Sequence, residues 1–172
     1  NNTVTTLEDN GYTFTTGDFG FTDPLDAASA AGANTLTAVK ITTTPSAGTL
    51  RNNGVIVTAG QFISFADING GNLVFAPAAN GNGAAYASFT FQVQDNGGTA
   101  NSGVDLDATP RTMTVNVTAV NDAPVGTSKT VTTLEDNAYT FTAADFGFTD
   151  PADASGAAGA NALLAVKITS TP

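Results

Sequence analysis

SFTFQVQ, residues 88–94, decides the fold class. Phe89, Phe91 and Val93 fall on one side of an extended chain and Thr90, Gln92 and Gln94 on the other, the period-2 alternation of a half-buried strand. Residues 111–120 repeat the pattern, with Met113, Val115 and Val117 inward. Working outward, residues 3–7 and 12–15 read as one broken first strand. Residues 36–44 follow, with Val39 and Ile41 on one face and Lys40 on the other. Residues 48–51 and 55–58 flank Asn52-Asn53-Gly54, a tight-hairpin signal because Asn and Gly accept positive φ. Residues 61–65 and 72–76 make another pair around a turn at 67–71. Helical periodicity is absent. Seven or eight short strands with Gly-rich turns in about 120 residues predict an all-β, immunoglobulin-like Greek-key sandwich, with an up-and-down barrel as the lesser alternative.

The aromatics Tyr12, Phe14, Phe19, Phe21, Phe62, Phe65, Phe75, Phe89 and Phe91 sit mostly on inward parity, so core packing explains them better than a sugar-stacking platform. Tyr86, in the AANGNGAAY loop, is the one aromatic placed to face a ligand.

TVTTLEDNGYTFTTGDFGFTDP, residues 3–24, returns 127 residues later with few changes. Residues 1–45 align without a gap with 128–172, and 34 of the 45 pairs are identical. A period of this length marks whole domains in tandem, since ~100–150 residues is one domain's worth of chain. The chain is therefore expected to hold a complete repeat, 1–121, a short linker, 122–127, and the N-terminal third of a second repeat, 128–172. Pro124 fixes φ and biases Ala123 toward extended backbone, which makes the linker a stiff hinge. Two copies of the opening strands thus compete for one body, residues 46–121. Copy one, joined to it through Pro45-Ser46, should win by proximity. Copy two should be completed by strands from outside these residues, as in a window cut from a longer array or filament.

Composition narrows the function. With no cysteine, a disulfide framework and thiolate metal sites are excluded. With no histidine, the eight serines lack the usual base for a hydroxyl triad, so catalysis is not expected. A net charge of −10 repels phosphate backbones and anionic lipid, which argues against nucleic acid and membrane as partners, and it suits hard cations. No apolar run approaches the ~20 residues of a membrane span, and no signal-peptide pattern stands at Asn1, so export would be directed from elsewhere in a longer chain. Few lysines, much Thr, Gly, Asn and Ala, and no cysteine fit an extracellular bacterial surface protein.

The acidic residues cluster at turns and strand ends: Glu8-Asp9, Asp23 and Asp26, Asp67, Asp95, and Asn121-Asp122 in the hinge. Singly, each reads as a turn former, because Asp and Asn hydrogen-bond their own backbone. As an ordered set they resemble the cadherin-like tandem repeats of large secreted bacterial adhesins and biofilm proteins. AVNDAPV is similar to the DxNDNxP linker of that family. FTDPLD with the downstream Gly32-Ala33-Asn34 is similar to its DxD segment and asparagine. FQVQDNGG resembles AxDxG, FADI stands where LDRE is found, and LEDN stands where a glutamate follows the linker.

The resemblance implies a Ca²⁺ cluster at each domain junction. Within this chain it would draw on Glu8, Asp67, Asn121, Asp122, Asp150, Asp153 and Asn161. Asp23, Asp26, Asn34 and Asp95 would serve the junction with a preceding repeat. The hinge is one residue shorter than the family's, Ala119 replaces its first aspartate, and two residues separate Asp23 from Asp26. Those departures point to one or two ions rather than three. Asp105 and Asp107 read as decoration of a solvated loop.

The function expected on these grounds is a structural extender repeat, locked into a rod when Ca²⁺ cancels carboxylate repulsion at the hinges. The resemblance further implies type I secretion, and its partners would be adjacent repeats or neighbouring copies. One alternative is a subunit of a self-assembling extracellular filament joined by strand complementation. Another is a carbohydrate-binding module, with a glycan held by the Tyr86 loop or by the loop spanning Asp105 and Arg111.

Overall fold

In the computed structural model, which describes residues 1–172 apart from 28, 30, 31, 156–158, 171 and 172, the chain separates into two units, Asn1–Thr118 and Ala119–Pro172. The undescribed positions 28, 30 and 31 fall between Asp26 and Asn34, and 156–158 between Asp153 and Asn161.

Alternating residues build the first unit. Its strands are β1 (Asn2–Leu7), β2 (Tyr12–Thr13), β3 (Leu36–Thr43), β4 (Thr49–Asn52), β5 (Val55–Ile56), β6 (Phe62–Ser64), β7 (Leu73–Ala76), β8 (Gly83–Asp95) and β9 (Arg111–Thr118). They form a five-stranded sheet in the order β1-β9-β8-β3-β6 and a four-stranded sheet in the order β2-β7-β4-β5. The unit is all-β in two sheets. β8 carries the alternation that decides the class, burying Ala87, Phe89 and Phe91, and β9 matches it with Met113, Val115 and Val117. Leu50, Leu73 and Phe75 from the other sheet join them in one core cluster. Phe14 seats edge-on against Phe89 at 5.6 Å and Phe19 against Phe91 at 5.0 Å, so copy one is built into the core. β1 pairs with β9 in parallel, Asn2 opposite Met113 and Leu7 opposite Thr118.

Asn53 and Gly54 take φ of 49° and 79° as the two-residue loop between Asn52 and Val55, the geometry that a twisted hairpin requires. The turn expected at 67–71 is instead preceded by a short helix, α1 (Phe65–Asn69). Ser64 caps it, its Oγ accepting from the Asp67 N–H at 3.0 Å, and Ile68 is buried beneath. The helix also separates the two strands that the sequence pairs: β6 lies against β3, whereas β7 lies between β2 and β4 in the other sheet. Phe62 and Phe65 face outward, and Lys40 Nζ stands 5.6 Å from the Phe62 ring centre. Tyr86 packs edge-on against Phe75 at the margin of the core, and its hydroxyl accepts from the Ala78 N–H at 3.1 Å.

The second unit repeats the local structure of copy one but forms no strand among its described residues. A 3-10 turn at Ala143–Phe146 matches the one at Thr16–Phe19. Gly147 ends it at φ 55°, ψ 38°, where Gly20 has φ 56°, ψ 38°. Asp136 and Asp9 share positive φ, 58° and 60°. Residues 122–127, expected as a stiff linker, are part of this unit. Val125 and Thr149 exchange both backbone hydrogen bonds at 2.8 Å, and the Thr127 N–H donates to the Phe146 carbonyl at 3.2 Å.

Candidate metal centre

Asn161 gathers the acidic residues of the second unit. Its backbone N–H donates to Asp150 Oδ2 at 2.7 Å, and its side-chain Nδ2 donates to Asp153 Oδ2 at 2.8 Å and to Asn121 Oδ1 at 2.8 Å. From the linker, the Asp122 N–H points at both Asp153 oxygens, at 3.2 and 3.3 Å. Five residues expected as ligands therefore meet: Asn121, Asp122, Asp150, Asp153 and Asn161. Asp150 is 5% exposed, and its Oδ1 is buried without a hydrogen-bond partner among the described residues. A buried acceptor left so costs about 1–3 kcal/mol, more when charged, unless a cation supplies the missing partner.

Copy one carries the same arrangement. The Asn34 N–H donates to Asp23 Oδ2 at 2.7 Å and its Nδ2 to Asp26 Oδ2 at 2.9 Å, repeating the bonds of Asn161 to Asp150 and Asp153. Asp95 joins this set across Gly97. The Gly97 N–H donates to Asp95 Oδ1 at 2.8 Å, and a Cβ there would stand 2.7 Å from Asn34 Nδ2 and 3.1 Å from Asp95 Oδ1. Only a residue without a side chain lets the two come so close. Asn96, which the sequence reading did not single out, accepts from the Thr35 N–H at 2.7 Å and pins the entry to β3. Its signal was the DNG step after an alternating strand, where Asn is a turn former with a free amide. Beside this set opens a groove of about 760 Å³, whose walls include Asp18, Asp23, Asp95, Asp105, Asp107 and Arg111.

Glu8 and Asp67 belong to the first unit. Glu8 is buried at the end of β1, accepts from Asn82 Nδ2 at 2.7 Å, and donates its backbone N–H to the Thr118 carbonyl. Asp67 clamps the hairpin to α1, accepting from Asn52 Nδ2 at 3.1 Å and Asn53 Nδ2 at 3.0 Å. Those amides and Ser64 hold its carboxyl below the ordinary carboxylate value. Asp107 is held low chiefly by its hydrogen bond from Arg111, at 2.9 Å, as a surface ion pair in the loop where decoration was expected.

Asp145 and its counterpart Asp18 were overlooked, although Thr-x-x-Asp spacing announces a capping pair. Asp18 accepts from Thr15 N–H and Oγ1. Asp145 does the same for Thr142 and adds Lys129 Nζ at 2.6 Å, which, with Thr142, holds its carboxyl far below the usual range.

No protein-family model, curated protein or solved structure matches the chain. Among the described residues, no helix is long and apolar enough to cross a membrane.

Proposed function

We propose that the chain is a Ca²⁺-binding, extracellular structural repeat, an extender of the cadherin-like, Greek-key kind that its motifs resemble. The observation that carries the reading is Asp150, a buried carboxylate with one oxygen lacking a donor, set among Asp122, Asp153, Asn121 and Asn161. Carboxylate and amide oxygens without nitrogen or sulfur ligands suit a hard cation, and Ca²⁺ takes about 6–8 oxygens from such groups. Asn121 and Asp122 come from the linker and the other three from copy two. A cation held by all five fastens the linker to the unit it enters, and segments fastened this way extend a chain without folding it back. The duplicate set at Asp23, Asp26, Asn34 and Asp95 gives each repeat its own centre.

The test is a Ca²⁺ titration followed by NMR at the amides of Asn34 and Asn161, each of which donates to a carboxylate oxygen. Both should shift saturably and return on adding EDTA. Asp122→Ala should weaken the response at Asn161, while Asp107→Ala leaves it alone. Amides that stay in place at millimolar Ca²⁺ overturn the assignment. At ~100 times the dissociation constant, binding to the native state alone adds about 2.7 kcal/mol of stability.

A further inference from the structure

Six asparagines are followed directly by glycine: Asn10, Asn53, Asn69, Asn80, Asn82 and Asn96. At such a step the glycine's backbone nitrogen can attack the asparagine's side-chain carbonyl carbon, because no β-carbon on the glycine crowds the approach. The attack needs a free backbone N–H and a side-chain amide free to turn. Five of the steps lack one or both. Asn53 Nδ2 donates to Asp67 Oδ1 at 3.0 Å, and Asn82 Nδ2 donates to Glu8 Oε2 at 2.7 Å. After Asn69 and Asn80, the Gly70 N–H donates to the Ala66 carbonyl and the Gly81 N–H to the Ala78 carbonyl, each at 2.9 Å. At Asn96, Oδ1 accepts from the Thr35 N–H, and the Gly97 N–H donates to Asp95 Oδ1. Asn10 is the exception. It lies exposed between β1 and β2, and among the described residues neither its side-chain amide nor the Gly11 N–H has a hydrogen-bond partner. Thr6 Oγ1 donates to the Asn10 main-chain carbonyl at 3.1 Å. That oxygen shares a peptide group with the Gly11 nitrogen and takes up negative charge when the nitrogen loses its proton. A hydrogen bond aimed at a forming oxyanion stabilises it.

We propose that Asn10 is a self-modification site, where the folded chain converts its own asparagine to an aspartyl or isoaspartyl residue through a succinimide. The Gly11 N–H gives its proton to a solvent base, and the nitrogen forms a bond to Asn10 Cγ. The Cγ–Nδ2 bond then breaks, and the nitrogen leaves as ammonia with a proton from solvent. Water opens the five-membered ring at either of its two carbonyls. No oxidant or cofactor takes part. Both products place a new carboxylate next to Glu8 and Asp9. The isoaspartyl product also adds one carbon to the main chain between β1 and β2, which belong to different sheets. The second unit contains the unreactive counterpart. Thr133 Oγ1 donates to the Asn137 carbonyl at 3.0 Å, as Thr6 does to Asn10. There, however, Ala138 follows in place of glycine, and Asn137 Nδ2 is tied to the Glu135 carbonyl at 3.3 Å. The proposal does not depend on the cation.

Peptide mapping by mass spectrometry tests it, on the full-length chain kept folded and warm at weakly alkaline pH. Deamidation should appear at Asn10 at least about tenfold faster than at the other five Asn–Gly steps or at Asn137, a difference of about 1.4 kcal/mol in barrier. In denaturant, where the held amides are released, the six Asn–Gly steps should react at similar rates. Thr6→Val keeps the side chain's shape without its hydroxyl and should slow the reaction at Asn10 in the folded chain. If Thr6 served only to hold the turn, its removal would loosen the turn and speed the reaction instead. Gly11→Ala should bring Asn10 down toward the rate of Asn137. Equal rates across the six steps in the folded chain, or a Thr6→Val rate that does not fall, overturn the proposal.

Discussion

Asp67 and Asp150 are both aspartates that the sequence marks as ligands, yet their neighbours differ in kind. Asp67 is surrounded by donors, the amides of Asn52 and Asn53 and the capping turn of Ser64, while Asp150 keeps one buried oxygen without any among the described residues. Which of the two would find donors for all its oxygens was not legible. It depends on a hairpin and a helix meeting in space. What could be read was the triplet Asp23, Asp26, Asn34 and its copy, because their bonds are made within eleven residues. The donor-rich site has its own consequence for pH. The Asp67 carboxyl is held low in the folded unit, so its contribution is fully present above the unfolded value of ~3.9 and fades as the pH falls through and below it. Thermal unfolding of the intact chain should therefore lose midpoint between pH 5 and pH 3. Asp67→Asn should start from a lower midpoint and lose less over that interval. If the two lose equally, Asp67 is not a clamp.

At the level of elements, strands that alternate and loops that need positive φ were plain in the sequence, and pairing across a helix was not. The alternation at 88–94 and the Asn53-Gly54 loop are local, and each appears in the fold as read. β6 and β7 look like a hairpin because a short polar stretch divides them, but five residues capped by Ser64 carry the chain from one sheet to the other. Ala38 was likewise missed as a core residue: it is buried next to Val39 because a register shift lies between Leu36 and Ala38. The small helix permits a graded test. Ser64→Ala removes the cap and should cost about 1 kcal/mol. Ile68→Ala removes a side chain 1% exposed and should cost about 2–5 kcal/mol. Denaturant unfolding with an unchanged slope would measure both. A reversed order would mean that the helix is held by its cap and not by the core beneath it.

For the molecule as a whole, two copies of an opening segment and one body were countable from the sequence, and the prediction that copy one fills the body agrees with Phe14 and Phe19 in its core. How the ends of that body leave it was not countable. Because β1 and β9 run parallel, with Asn2 beside Met113 and Leu7 beside Thr118, tension applied at Asn2 and Thr118 draws the neighbouring strands past one another along their length. All six register pairs then resist together, and none can open ahead of the rest. Tension between Leu7 and Thr118, which face each other, would peel the same ladder one pair at a time. A chain with no cysteine of its own accepts handles at chosen places, Asn2→Cys or Leu7→Cys, each with Thr118→Cys. Single-molecule extension should find a clearly higher rupture force for the first arrangement, and equal forces would refute the shear geometry. A tether made of such domains fails all at once or not at all, which is the behaviour wanted of a line under load.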